Sequence, residues 1–221
     1  MDMLGPFERL LDANPGAALM PALEEAGYLD ALRELPLSEV EPLLRALGAR
    51  AVDAPVAETM ATRVVVEPSR ALLAVMTAAE MAGAGERLLA MSLDYANTRQ
   101  QFGRPIGKFQ AIQQQLAVMA EQVVLTRIAA QSGCAQGIEP SVAAAAVAKS
   151  VASSAAPVIA GIAHAVHGAI GITAEFPLHR LTARLHALRM AHGSESYWNR
   201  QVGRIRIERE TTNSLGFVRS V

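Results

Sequence analysis

Cysteine and aromatic residues are scarce in this chain: Cys134 is the single cysteine, and aromatics make up 4% of 221 residues. One thiol excludes an internal disulfide framework and fits a reducing compartment, so we expect a cytoplasmic protein. The core has to come from aliphatic residues and methionine, and hydrophobic residues do make up 51% of the chain. Because alanine, leucine and methionine favour helices, the composition predicts an all-α protein.

The chain also lacks an excess of charge of either sign, since it contains 20 Lys and Arg residues and 21 Asp and Glu residues. This balance favours neither nucleic acid nor an anionic membrane as a partner. The first residues, 1–4, include an acid where a signal peptide has a basic region. Residues 150–174 lack charged groups, but they carry serines, a proline, three glycines and two histidines. We interpret them as a buried helix and expect no membrane span.

The pattern of apolar residues divides the chain into two parts. Residues 1–50 contain short runs at helical spacing. Residues 51–67 break this pattern and are interpreted as a connector, in which residues 63–66 would allow a lone strand. We therefore predict an N-terminal helical segment with its connector, residues 1–66, followed by a bundle with a charged tail, residues 67–221.

Four longer helical patterns follow the connector. Gly83 and Gly85 lie inside the first of them at a cost of about 1 kcal/mol each, which indicates that another backbone passes close by. Short loops between long helices favour an up-and-down four-helix bundle. The predicted helices run from Pro68 towards Arg99, from Lys108 to Ser132, from beyond Pro140 towards His167, and from Glu175 to Met190. The charged tail includes Arg204, Arg206, Arg209 and Glu210, and we expect it to face solvent or another subunit.

One polar segment is more specific than packing requires. The first long helix ends at Arg99, and glutamines, an aromatic residue and a glycine turn follow it. A guanidinium forms paired hydrogen bonds to phosphate oxygens, and amides suit the ribose and base of a nucleotide. The alternative is a plain helix end at which Arg99 satisfies the last carbonyl groups.

Two segments together carry a resemblance to a known family. The first contains Tyr95-Ala96, then Arg99-Gln100-Gln101-Phe102-Gly103-Arg104-Pro105-Ile106, then Phe109-Gln110; the second is residues 167–179, with Gly168, Gly171, Thr173 and Glu175. The first resembles the signature of the C-terminal domain of flavin-dependent acyl-CoA dehydrogenases, and the second resembles that family's Gly-Gly-x-Gly turn. The likeness extends from about Pro68 to Ile207. It implies a four-helix bundle that pairs with another subunit.

The resemblance also implies a cofactor, FAD, held partly by a neighbouring subunit. By this likeness the turn at Gly168 and Gly171 lets the backbone approach the dinucleotide, although a plain helix–helix turn fits these glycines equally well. Ala169 and Ala165 depart from the family pattern, which usually has glycine and glutamine there. The side chains expected to contact FAD are Arg99, Gln101, Phe102 and Gln110.

At the position of the catalytic base, the chain departs from the family. The family removes an α-proton from an acyl-CoA thioester with a carboxylate while hydride leaves to the flavin, so a base has to lie within hydrogen-bond reach. His192 occupies the usual glutamate position here, and the alternative position falls near Leu73. His192 is therefore the candidate base, unless a partner supplies the carboxylate, and whether this chain is itself an enzyme stays open.

The chain also lacks room for the β-domain that walls the flavin ring in this family, because Val66 leads almost directly into Pro68. We expect a homo- or hetero-oligomer with a full-length acyl-CoA dehydrogenase-like subunit. The alternative is a catalytically inactive helical scaffold. No carboxylate or thiol completes a ligand set around the histidines at a familiar spacing, so we expect no metal site. The histidines are His164, His167, His179, His186 and His192.

Overall fold

The computed structural model describes residues 3–208 together with residues 213 and 216. It confirms an all-α fold. The N-terminal helices are α1 (Leu4–Ala13), α2 (Leu19–Glu25), α3 (Ala31–Glu34), α4 (Leu37–Ala49) and α5 (Val56–Val64), with short 3-10 helices at Gly16–Ala18 and Tyr28–Asp30. The later elements are α6 (Arg70–Thr98), strands β1 (Gln100–Gln101) and β2 (Arg104–Pro105), a 3-10 helix at Ile106–Lys108, α7 (Gln110–Cys134), α8 (Val142–His167), a 3-10 helix at Gly168–Ile172, α9 (Leu178–Met190) and α10 (Glu195–Glu208).

Helix α6 is the centre of the bundle and packs against α4, α7, α8 and α9. Its first half is apolar and buried on nearly all sides, as expected for a helix enclosed by other helices. Ser69 begins this helix by accepting a hydrogen bond from the Leu72 amide at 3.1 Å, and Ser141 begins α8 in the same way. The four predicted helices are all present, although α9 begins at Leu178 rather than at Glu175.

The prediction of an irregular connector at residues 51–67 was wrong. Pro55 directly precedes helix α5 instead of breaking a pattern, because proline is tolerated at a helix start. Buried side chains on one face, Val56, Ala57, Met60 and Ala61, hold α5 against the rest of the protein. The lone strand at residues 63–66 is also absent, since α5 continues to Val64 and the next two residues belong to no strand.

The beginning of the charged tail belongs to a fifth bundle helix. Helix α10 packs on α8 and buries Trp198, which is the single tryptophan of the sequence. Arg204 and Arg206 lie on this helix, whereas Arg209 and Glu210 lie outside the described residues.

The N-terminal segment and the bundle share one hydrophobic core, which extends from Phe7 through α4 into α6, α8 and α9. Where α4 crosses α6 the backbones touch. A Cβ atom on Gly48 would lie 1.8 Å from the Glu80 carbonyl oxygen, and one on Gly83 would lie 1.9 Å from that of Arg45. The close approach of another backbone, predicted from Gly83 and Gly85, is therefore confirmed at Gly83. The prediction was wrong at Gly85, whose Cβ position meets only side chains, those of Ile159 and Val123.

By length and composition, one segment passes the test for a membrane-spanning helix. It covers residues 142–172, which are α8 and the following 3-10 helix, and 44% of its most apolar window is buried. Helix α8 packs on α6, α7, α9 and α10, as a core helix of a bundle does.

Candidate functional site

A two-stranded hairpin follows α6 and presents the first motif. Strand β1 pairs with β2 so that Gln100 lies opposite Pro105 and Gln101 opposite Arg104. The turn residues Phe102 and Gly103 both have positive φ, 51° and 76°. Such turns favour asparagine followed by glycine, so a phenylalanine in the first position is strained.

Phe102 occupies the tip of this hairpin, and 91% of it is exposed. Its ring meets the edge of the Phe109 ring at a centroid distance of 6.1 Å. The Arg104 guanidinium lies 4.3 Å from the centre of the same Phe109 ring. A strained and exposed aromatic residue lowers the stability of the fold. Such a residue is typical of a surface that contacts a ligand or a partner.

Arg99 is exposed beside the hairpin, and its guanidinium has no hydrogen-bond or ion-pair partner among the described residues. Backbone amides, not the Arg99 side chain, form the hydrogen bonds at the end of α6. The Arg99 amide donates to the Tyr95 carbonyl at 2.8 Å, and the Ile106 amide donates to the Arg99 carbonyl. The interpretation of Arg99 as a side-chain cap of its own helix therefore does not hold.

The two motifs meet in a cleft of about 690 Å³, a volume within the range of small-molecule sites. Arg99, Gln101 and Phe102 line one side of it, and residues 165–170 at the end of α8 line the other. Gln110 lies nearby at the start of α7 but does not line the cleft. The remaining lining residues are Tyr95, Ile106, Phe109 and Ile112.

The two glycines of the second motif have different surroundings. Gly168 lines the cleft with a φ of 62°, and a Cβ atom there would meet nothing within 4 Å. Gly171 is buried, and a Cβ atom would lie 2.9 Å from Leu178 and 3.1 Å from His167. Gly168 thus leaves room towards the cleft, whereas Gly171 is required by packing in the turn.

The sequence motifs did not single out His167 as a site residue, yet it forms part of the cleft wall. Its ring stacks on Tyr95 at a centroid distance of 4.6 Å and lies 5.0 Å from the ring of Phe176. His167 Nδ1 is 2.8 Å from the Ala163 carbonyl oxygen, while the buried Nε2 has no partner among the described residues. Burial lowers the pKa of this imidazole.

His192, the candidate base, lies after α9 and does not line the cleft. Its Nε2 is 3.3 Å from a carboxylate oxygen of Glu58 on α5, and its φ is 54°. The Trp198 indole donates to the His192 carbonyl at 3.2 Å. The alternative base position, Leu73, is a partly buried residue packed against the core.

A buried lysine fixes the turn that carries His192. The Lys149 ammonium donates to the carbonyls of Arg189 and Gly193 at 2.9 and 3.0 Å, and to the Ser153 hydroxyl. All three of its N–H groups are used, which is what a fully buried ammonium requires. Burial lowers the pKa of Lys149 to about 8.

A second polar cluster joins the N-terminal segment to the bundle beside Glu58. Arg184 on α9 donates to Glu80 at 3.2 Å and to Asp53 at 3.1 Å. Burial is the main cause that raises the pKa of Glu80 to about 7, and the nearby Glu58 adds to it. No sequence motif indicates this cluster, because its members lie far apart along the chain. No group of three or more residues that could hold a metal ion is present among the described residues.

Comparisons with known proteins agree with the motifs. The family model for the acyl-CoA dehydrogenase C-terminal domain matches residues 45–206. The 3-sulfinopropanoyl-CoA desulfinase of Paraburkholderia xenovorans is 36% identical over 54% of this chain and 31% of its own length. Acyl-CoA dehydrogenase IpdE2 of Mycobacterium tuberculosis is 37% identical over 51% of this chain and 35% of its own length. The chain thus spans about a third of the length of each of these relatives. Their names describe two different reactions, a desulfination and a dehydrogenation.

Among solved structures, the ChsE4-ChsE5 complex from Mycobacterium tuberculosis is similar to this fold. The TM-score is 0.62 at 30% sequence identity, with 64% of this chain and 39% of the matched chain covered. The similarity is therefore to part of a larger chain, and that chain is a member of a complex.

Proposed function

Because the chain belongs to the acyl-CoA dehydrogenase family, we propose that it is a subunit of a flavin-dependent assembly and completes an FAD site shared with another polypeptide. The proposed reaction of that assembly is the α,β-dehydrogenation of an acyl-CoA thioester. FAD would supply the acceptor for the hydride that leaves the substrate.

The meeting of the two motifs in one cleft, with the guanidinium of Arg99 free at its edge, carries this proposal. A guanidinium without an acidic partner suits a diphosphate, to which it forms paired charge-assisted hydrogen bonds. The Gln101 amide and the exposed Phe102 ring add a hydrogen-bonding group and an apolar surface for a nucleoside. Gln110 would contribute from the start of α7 if the hairpin moves on binding.

The residues present fit a dinucleotide in three respects. Arg99 offers an uncompensated positive charge, and Gly168 leaves open space beside the backbone. His167 Nε2 is a buried polar atom that lacks a partner in the described structure. The buried Nε2 atom of His167 costs stability because it lacks a hydrogen bond, whereas the exposed Arg99 guanidinium is hydrated.

A second polypeptide is part of the proposal because the described chain encloses only one side of such a site. Strands β1 and β2 are too short to wall a flavin ring, and they form the sheet present in the described residues. The hairpin tip and the outer face of α7 expose apolar side chains for contact with a partner, namely Phe102, Val118, Leu125 and Ile128.

Acid–base chemistry by this chain would be carried by His192. Glu58 faces Nε2, which leaves Nδ1 to accept a proton from a substrate. Since His192 does not line the cleft, proton abstraction and dinucleotide binding are separate tasks of the molecule. His192→Gln is therefore expected to lower turnover of an assembly while its flavin content stays unchanged.

The test is the flavin content of the purified chain, alone and after co-expression with a full-length acyl-CoA dehydrogenase-like partner. We expect flavin absorbance in the complex, and Arg99→Ala should weaken flavin retention about tenfold or more. Arg104→Ala is the matched control, because Arg104 lies on the same hairpin but does not line the cleft. Flavin in neither preparation would favour the inactive scaffold, and equal retention in both variants would remove Arg99 from the site.

A further inference from the structure

A groove between the N-terminal segment and the bundle has a volume of about 790 Å³ and shares no lining residue with the cleft described above. We infer that this groove is a binding site for an amphiphilic anion, which is a phosphate monoester or a carboxylate attached to an apolar chain. Arg87 on α6 and Arg180 on α9 hold the anionic group. Such a site is separate from the proposed FAD site and does not depend on it.

Apolar residues from several parts of the chain line this groove. They lie between α1 and the start of α2, on the loop from α4 to α5, in the second half of α6 and around the start of α9. Leu11, Leu19 and Leu181 are largely buried there, and Met91 keeps 9% of its surface exposed. A groove of this volume can take a small molecule, and these residues offer its apolar chain a contact surface.

Two arginines hold the three acidic residues that line the groove. Arg50 donates to Glu8 at 3.2 Å and to Asp12 at 2.6 Å, and Arg184 donates to Asp53 at 3.1 Å. The hydrogen bond from Arg50 lowers the pKa of Asp12, so this pair is charged at neutral pH. Each acidic residue of the groove therefore already has a cationic partner.

Arg87 and Arg180 also line the groove, and both are exposed. Neither guanidinium has a hydrogen-bond or ion-pair partner among the described residues. Their own helices offer none, because the positions three and four residues away carry no acid and α9 contains three arginines without any Asp or Glu. Two uncompensated positive charges that line one groove attract an anion, and guanidinium groups bind carboxylate and phosphate oxygens through paired hydrogen bonds.

The two kinds of lining residue restrict the class of ligand. An inorganic anion contacts the arginines but leaves the apolar residues without a partner. An alkylammonium ion suits the apolar residues but is repelled by the arginines. A molecule that joins an oxyanion to an apolar chain satisfies both, and this chemistry is common to alkyl phosphates and fatty carboxylates.

Titration of the purified full chain, labelled with ¹³C at its methionine methyl groups, tests this site by NMR. The probes are octyl phosphate, octanoate, inorganic phosphate and octylammonium. The Met91 methyl is the reporter, and Met190 is the internal control, because it is 64% exposed and does not line the groove. Octyl phosphate, octanoate or both should shift the Met91 signal saturably and leave Met190 unchanged, and the tighter of the two identifies the anionic group. Inorganic phosphate should bind about tenfold or more weakly, and octylammonium should not bind.

Two arginine variants locate the anionic group. Arg87→Gln and Arg180→Gln should each weaken binding of the amphiphile about tenfold, because each removes a charge-assisted hydrogen-bond donor. Neither substitution breaks an ion pair of the described structure, so both variants should fold, and thermal unfolding checks this. Arg9→Gln is the matched control, because Arg9 is exposed on α1 next to Glu8 but does not line the groove. It should bind the amphiphile as the unmodified chain does.

Three results would overturn the inference: no saturable shift of Met91 with either amphiphile, equal shifts of Met91 and Met190, or binding that neither Arg87→Gln nor Arg180→Gln weakens. Arg99→Ala separates this site from the proposed FAD site and should leave amphiphile binding unchanged. If Arg99→Ala alone weakens binding, the amphiphile occupies the first cleft and the groove is not the site. Flavin retention is measured independently, so failure of the groove leaves the proposed function standing.

Discussion

Buried charges are stabilised in two different ways in this protein. Lys149 uses all three of its N–H groups on fixed oxygen atoms, so its charge is fully solvated by the protein. Glu80 receives one hydrogen bond from Arg184, whose Nε is itself buried without a partner in the described structure. The Glu80 carboxylate is therefore the less well compensated charge, and it should make stability depend on pH.

The direction of this dependence follows from the raised pKa of Glu80, about 7 against an ordinary value of 4.5. Between these values the folded protein binds more protons than the unfolded chain, so this group's contribution is fully present below pH 4.5 and is lost as the pH rises through 7. We expect the free energy of unfolding of the native protein, relative to Glu80→Gln, to fall by up to about 3 kcal/mol over this range. Urea unfolding at a series of pH values measures it, and a constant difference would contradict the prediction.

At the scale of the helices, the crossing of α4 and α6 depends on two glycines, and this gives a test of packing. Gly83→Ala places a Cβ atom against the backbone of Arg45 and should destabilise the fold by about 3 kcal/mol. Gly161→Ala on α8 is the matched control, because nothing lies within 4 Å of its Cβ position. It should stabilise the protein by about 0.5–1 kcal/mol through helix propensity. Thermal unfolding of both variants checks the contrast, and equal effects would contradict it.

The sequence predicted the long helices well because their apolar periodicity is strong and their ends carry clear signals. It failed at α5, because Pro55 predicts a break in the pattern although a helix begins at the next residue. It also failed at α10, whose single buried anchor, Trp198, leaves little periodic pattern. His167 was missed as a site residue for another reason: its orphaned Nε2 exists only once Tyr95, Ala163 and Phe176 surround the ring.

At the scale of the whole molecule, the outer face of α7 is the best place to test assembly. Leu125→Glu introduces a charge on an exposed apolar position and should dissociate an oligomer without unfolding the chain. The free energy of unfolding should change by less than about 0.5 kcal/mol, as is usual for surface substitutions. Sedimentation velocity measures the oligomeric state.

Val66→Glu is the control for this assembly test, because Val66 is 93% exposed but lies outside the bundle face. The proposal expects it to leave sedimentation unchanged. If Leu125→Glu also leaves the oligomer intact, the α7 face is not the contact surface and the partner has to dock elsewhere.

The single thiol of the chain has a practical consequence for measuring contacts between subunits. Cys134 is 1% exposed at the end of α7, and burial raises its pKa to about 12. It is therefore protonated and shielded, and maleimide reagents should leave it untouched. A reporter dye or spin label attached through a newly introduced cysteine on the surface would then be the sole signal, with no need to replace the native residue.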